Sequence, residues 1–350
     1  MAGLIEPRIA AAVARGLAGD SSLKGSYLLE RLDRDLAQAV PRAERLVAEE
    51  SGIPAPPPAR WSVIDRATWA DHNIKGMSVM LAPLADRLAS RTASLPLPAR
   101  LAQKGLVSVE VGALLGFISW RVLGQYDLLV PDQELNGGAV YFVGPNLVET
   151  ERKLGFVPEE FALWVALHEI THRFQFEGVP WLRKRFLDLV HRYLKSVDVD
   201  AKGLRQRLTG AVRRVRARDV PLEEKSPMYL FASDAQRELL DEIQALMTVV
   251  EGHGNYVMDA VGSRVIPSFE RMRHIFNMRR RQMTRVQRAV TYAIGLEMKM
   301  RQYEVGQKFC EAVVASGGDE ALARLWADES RFPSLREIKE PELWLERVAA

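Results

Sequence analysis

His168 and His172 are the residues best placed to do chemistry, because they stand four apart in the run His168-Glu169-Ile170-Thr171-His172. On an α-helix that spacing turns through about 400°, so both imidazoles leave one face a turn apart and can reach a single metal ion. Glu169, beside the first histidine, can act as general base toward a water activated at that ion. The chain has only six histidines, so this pattern arises by chance in about one such sequence in a hundred, by multiplying residue frequencies. The bland alternative is a pair of core histidines satisfied by their neighbours. Phe161, Trp164, Val165, Leu167, Ile170, Phe174 and Phe176 make the segment apolar on most sides, which predicts burial, and buried imidazoles need a partner.

A zinc site needs a third protein ligand. The extended pattern that would supply it locally requires glycine at 175 and histidine at 178, where this chain has Gln175 and Gly178. The ligand must therefore come from another element. Glu251, in Val249-Val250-Glu251-Gly252-His253-Gly254-Asn255, is the best candidate: a carboxylate after an apolar run, with glycines that permit close approach of another element. His191 is the alternative. Asn255, one turn beyond Glu251, suits a group that orients a ligand histidine. His253 lies about 200° around the helix from Glu251 and reads either as a proton donor or oxyanion stabiliser, or as a core histidine. The expected cofactor is one Zn2+ per chain. A cysteine-based zinc site is excluded, since Cys310 is the single cysteine.

The elements that must hold these residues are mostly helical. Pro158 suits a first helical position, and Glu159 and Glu160 favour the helix dipole there. Ser233 to Gln236 has the form of a capping box opening a long helix to about residue 260. Helices are also predicted within 1–50, over 66–92, 101–123 and 181–195, and from 268 to about 315, with an irregular tail around Pro333, Pro341 and Trp344. The single β signal lies in 127–145, where Leu128-Leu129-Val130 and Ala139-Val140-Tyr141-Phe142-Val143 flank Asn136-Gly137-Gly138 and predict a hairpin. If the second of these strands lies at an exposed edge, Ala139, Val140, Tyr141 and Phe142 could hold an extended peptide by β-addition. The fold class expected is mainly α with a small β-hairpin or sheet (α+β). The run Ile53-Pro54-Ala55-Pro56-Pro57-Pro58 cannot be helix interior. It marks a boundary between an N-terminal helical segment, 1–58, and a main domain, 59–350.

Lys plus Arg (48) nearly balance Asp plus Glu (45), and a formal charge of +3 does not point to nucleic acid or an anionic membrane. The arginines at 271, 273, 279, 280, 281, 285 and 288 read as a solvated helical face. The apolar stretch Val111 to Trp120 is short of the roughly 20 residues that span a bilayer. The first residues lack the basic and apolar regions of a secretory signal. These features predict a cytoplasmic protein without a membrane partner; they say nothing of oligomeric state.

The run from His168 to Phe176, followed by Val179-Pro180-Trp181-Leu182, together with Glu251-Gly252-His253 and Gly306-Gln307-Lys308-Phe309, resembles the zincin-like metallohydrolases of bacteria. Some members of that family are described as associated with biosynthesis of a deazaflavin coenzyme. The resemblance covers about Trp61 to Trp344. It implies a mainly helical, zincin-like fold in which the helix bearing the His-Glu-x-x-His run packs against a long second ligand-bearing helix. The implied ligands are His168, His172 and Glu251, and the implied base is Glu169. Arg173 departs from it, standing where an uncharged residue is usual. The expected activity is hydrolysis of a peptide or small amide-containing substrate. Two alternatives stand beside it: a non-catalytic scaffold that keeps the fold, and a metallohydrolase of a small molecule in cofactor metabolism.

Overall fold

The computed structural model describes residues 4–92, 96–129, 138–197, 229, 232–281 and 296–349. The N-terminal region forms two helices, α1 (Pro7–Ala18) and α2 (Tyr27–Glu50). Ser26 starts α2 by accepting a hydrogen bond from the Leu28 amide, which satisfies one of the donors a helix start leaves open. Leu28, Leu32, Leu36, Val40, Ala43 and Val47 are buried along one face of α2, the period of an amphipathic helix. That face packs on α7 (Pro158–Gly178), the helix that carries His168 and His172. Residues 1–58 thus share a core with residues 59–350.

A three-stranded sheet follows in the order β1-β3-β2, built from β1 (Trp61–Ile64), β2 (Gly124–Tyr126) and β3 (Val140–Val143). The hairpin signal in 127–145 corresponds to β2 and β3, antiparallel with Gly124 opposite Phe142 and Tyr126 opposite Val140. Its first strand lies a few residues earlier than Leu128-Val130, and residues 130–137 of the connection lie outside the described residues. β1 pairs in parallel with β3, Trp61 opposite Val140. Such pairing is non-local, and a four-residue strand is too short to show a period of its own.

That third strand overturns one expectation. β3 is the central strand, so the backbone of Ala139, Val140, Tyr141 and Phe142 is engaged on both sides: the Ala139 carbonyl accepts from Asp127, and the Val140 amide donates to the Arg60 carbonyl. It has no edge to offer a peptide. Val140 and Phe142 point into the main core under α7, while Val143, on the opposite face, joins a second core with Trp69, Ile74 and Leu115. This alternation is the two-residue period of a strand.

The second core is made by α1, α3 (Arg66–Met80) and α5 (Leu97–Ile118), with α4 (Ala82–Thr92) following α3 after a break at Leu81. The helical signal of 66–92 therefore resolves into two helices. α5 is long and apolar enough, by length and composition, to cross a membrane; it lies against α1 and α3. The main core is completed by α6 (Gly144–Leu154), α8 (Leu182–Ser196), α9 (Asp234–Val265), α10 (Phe269–Arg281) and α11 (Leu296–Ala327). The capping box at Ser233 and Gln236 opens α9. The tail is more regular than its prolines suggest, with α12 (Leu335–Lys339) and α13 (Pro341–Ala349). Trp344 is fully buried there; it donates to the Arg331 carbonyl at 2.6 Å and packs edge-on against Phe309. Of the basic cluster, Arg271 donates to the carbonyls of Leu154 and Gly155 and Arg273 pairs with Asp259; the other five arginine side chains lie outside the described residues.

Arg173 explains its own departure from the usual pattern. It is buried, pairs with Glu44 of α2 at 2.7 Å and with Glu177 at 3.0 Å, and donates to the Pro57 carbonyl. One guanidinium therefore ties α7 to α2 and to the proline-rich connection. Removing one partner of a buried pair strands the other. Both carboxylates keep some contact with solvent, so the Arg173→Met variant is expected to lose about 3 kcal/mol, the low end of that range. Urea unfolding of the two proteins measures the difference.

Candidate metal centre

α7 is buried along nearly its whole length, including Phe161, Leu163, Val165, Leu167, Ile170 and Phe174. A helix that is apolar all round belongs in a core, and this one carries its polar residues inward. His168 Nε2 and His172 Nε2 lie 3.1 Å apart. Glu251 Oε2, from α9, lies 3.3 Å from His172 Nε2 and 3.8 Å from His168 Nε2. Ligands about 2.0–2.1 Å from a tetrahedral zinc are roughly 3.4 Å from one another, and the observed triangle brackets that spacing. Two imidazole nitrogens and a carboxylate oxygen are also a donor set that zinc accepts. Among the described residues this is the one group of three or more His, Cys, Asp or Glu whose ligand atoms all lie within 4.8 Å of one another. His191, the alternative third ligand, is not part of it.

Glycines allow this convergence. A Cβ on Gly252 would stand 2.1 Å from the Gly306 backbone, and one on Gly306 would stand 1.9 Å from the Thr248 carbonyl oxygen. α9 and α11 therefore meet backbone to backbone beside Glu251. A Cβ on Gly254 would lie 3.2 Å from the His172 ring and 3.5 Å from the His168 ring, so a side chain there would press on the imidazoles.

Glu169 turns toward the sheet. Its Oε2 accepts the Tyr126 amide at 3.1 Å, and a Cβ on Gly124 would come within 2.7 Å of Glu169 Cγ. Edge strand β2 thus lies directly over the glutamate and fixes its carboxylate next to the histidines that flank it in sequence. The Tyr126 hydroxyl, an oxyanion donor in principle, instead donates to Glu177 at 3.2 Å. Burial disfavours the charged form of His172, but the carboxylates of Glu251 and Glu169 and the hydrogen bond its Nδ1 donates to Gln175 Oε1 outweigh it and raise the imidazole pKa.

Two sequence expectations change here. His253 has no solvent exposure, and its Nδ1 faces Gln175 Nε2 at 2.9 Å while its ring packs edge-on against Trp326. Burial, then the neighbouring His172, push its pKa down to about 3. A neutral imidazole locked in the core supports its neighbours and is not placed to give a proton to a substrate. The role expected of Asn255, contact with a ligand histidine, belongs to Gln175: its Oε1 lies 2.9 Å from His172 Nδ1. Asn255 is buried and makes no such contact among the described residues. Gln175 was visible in the sequence as a polar residue three beyond His172 in an apolar segment, yet it served there only to exclude the longer histidine pattern.

The family model of the zincin-like metallopeptidases matches residues 5–345. No curated protein matches the chain. Among solved structures, a protein from Chloroflexus aurantiacus described as "a putative hydrolase with a novel fold" is similar over 99% of this chain and 99% of its own, with 31% sequence identity and a TM-score of 0.68.

If the α9–α11 contact sets the position of Glu251, Gly252→Ala must weaken metal binding. The added methyl has only backbone to meet, and overpacking of this kind costs about 1–3 kcal/mol. The variant is expected to bind zinc at least tenfold more weakly and to melt at a lower temperature, as read by chelator competition and thermal unfolding.

Proposed function

The chain belongs to the family of zincin-like metallopeptidases, and from that premise we propose that it is a zinc-dependent hydrolase of an amide bond, in a peptide or in a small amide-containing molecule, with Glu169 as general base. The observation that carries the reading is the convergence of His168, His172 and Glu251, whose ligand atoms lie within 3.8 Å of one another, with the carboxylate of Glu169 held beside them. Zinc at such a ligand set supplies Lewis acidity, which lowers the pKa of water and polarises a carbonyl.

The protein's own part follows from the placement of Glu169. One carboxylate oxygen is pinned by the Tyr126 amide, which fixes the orientation in which the group takes a proton. Glu169 takes that proton from the attacking water and returns it to the departing nitrogen, the two halves of general acid–base catalysis. A scaffold that keeps only the fold has no chemical use for a glutamate held this way. The same hydrogen bond bears on the substrate. The outward-facing Tyr126 amide of edge strand β2 is already taken by Glu169, and β3 is interior. A long peptide laid along β2 would have to displace that bond, so a short or compact amide fits the site better.

The test is a panel of fluorogenic peptide and small-amide substrates offered to the zinc-loaded protein. Zinc-dependent cleavage is expected, and Glu169→Gln should lower the rate by about 10²–10⁴ while zinc content stays the same. A wild-type protein that binds no zinc, or a glutamine variant that cleaves at the wild-type rate, refutes the proposal.

A further inference from the structure

Gln175 is fully buried, and its side-chain amide has donors at one end and an acceptor at the other. Nε2 lies 2.9 Å from the Val250 carbonyl oxygen. A carbonyl only accepts, so the amino group must be at that end. Oε1 is thereby committed to the opposite side, 2.9 Å from His172 Nδ1. An amide oxygen accepts and never donates, so the Nδ1 of His172 carries the ring proton. A neutral imidazole has only one ring proton. Nε2, the atom 3.1 Å from His168 Nε2 and 3.3 Å from Glu251 Oε2, is left with its lone pair facing the other two donors.

The second amino proton of Gln175 goes to His253 Nδ1 at 2.9 Å. Val250 and His253 flank Glu251 in sequence. A single side chain on α7 therefore holds one histidine of the triad and grips α9 on both sides of the carboxylate. We propose that Gln175 is a positioning residue that selects the Nε2-free tautomer of His172 and sets the distance between His172 and Glu251. The proposal rests on the reading of these residues as metal ligands. Glutamate would not serve in its place: a carboxylate would face the Val250 oxygen with two acceptors opposed in the core, the kind of buried mismatch that costs free energy. Leucine keeps the size but abandons the Val250 carbonyl and the His172 N–H.

The test compares the wild-type protein with Gln175→Leu, and with Leu246→Ala as a control that weakens the same core without touching the triad. Zinc alone is titrated against a chromophoric chelator, and the ring-nitrogen tautomer of His172 is read by 15N NMR in the metal-free proteins. Gln175→Leu is expected to bind zinc about 10–100-fold more weakly, as groups that orient a metal-bound histidine do, and to populate the Nε2–H form of His172. Leu246→Ala should lose thermal stability while keeping wild-type zinc affinity and tautomer. Unchanged zinc affinity in Gln175→Leu overturns the proposal, and so does a neutral wild-type His172 whose single proton is on Nε2. The wild-type spectrum decides even if the leucine variant does not fold. A wild-type protein that takes up no zinc, yet shows the Nδ1–H form, counts against the proposed hydrolase and bears out the tautomer that Gln175 selects.

Discussion

The structure depends on a close approach of helices at one level of the core. Two imidazoles come from α7 and a carboxylate from α9, and a metal held by all three tolerates little error in their spacing. The α9 backbone can reach that level only where side chains are missing, and Gly252 against Gly306 provides the contact. A few tenths of an ångström added there would propagate to Glu251, the next residue in sequence. The packing of a remote helix, α11, is in this way part of what positions the candidate metal ligands.

Polarity inside an apolar core needs compensation, and here it is supplied pair by pair. Glu251 is buried beside the histidines and Glu169 is held by a backbone amide. Arg173 is matched by Glu44 and Glu177, and Glu177 also accepts from Tyr126 and Gly138. A buried ion pair adds little stability over a well-packed apolar core, but a half-removed one is costly. The network therefore penalises any arrangement of α2, β2 and α7 other than the one seen. Fixed geometry at the Glu169 carboxylate is what such a penalty purchases.

Much of this was legible in the residues. The His-Glu-x-x-His run predicts its own helix and face, and the apolar residues around it predict its burial. The capping box at Ser233 marks the start of α9 because its signature is local and chemical. Glu251 stood out by contrast, a lone carboxylate between valines and glycines. What escaped depends on partners far away in sequence. β1 pairs with a strand some 80 positions on, and only that pairing makes β3 interior and closes the route to β-addition. His253 and Asn255 were placed by rotation around their own helix, which says nothing of what lies opposite. The residue opposite is Gln175, whose importance comes from meeting α9 and not from its position on α7. Arg173 likewise looked anomalous until Glu44, 129 residues earlier, was seen beside it.

X-ray absorption at the zinc edge on the loaded protein tests the central claim most directly. Two imidazole nitrogens and light oxygen donors at about 2.0–2.2 Å, with no sulfur, are predicted for the wild-type protein, with one imidazole fewer in His172→Ala. Zinc that is absent, bound through sulfur, or surrounded identically in that variant would contradict the account.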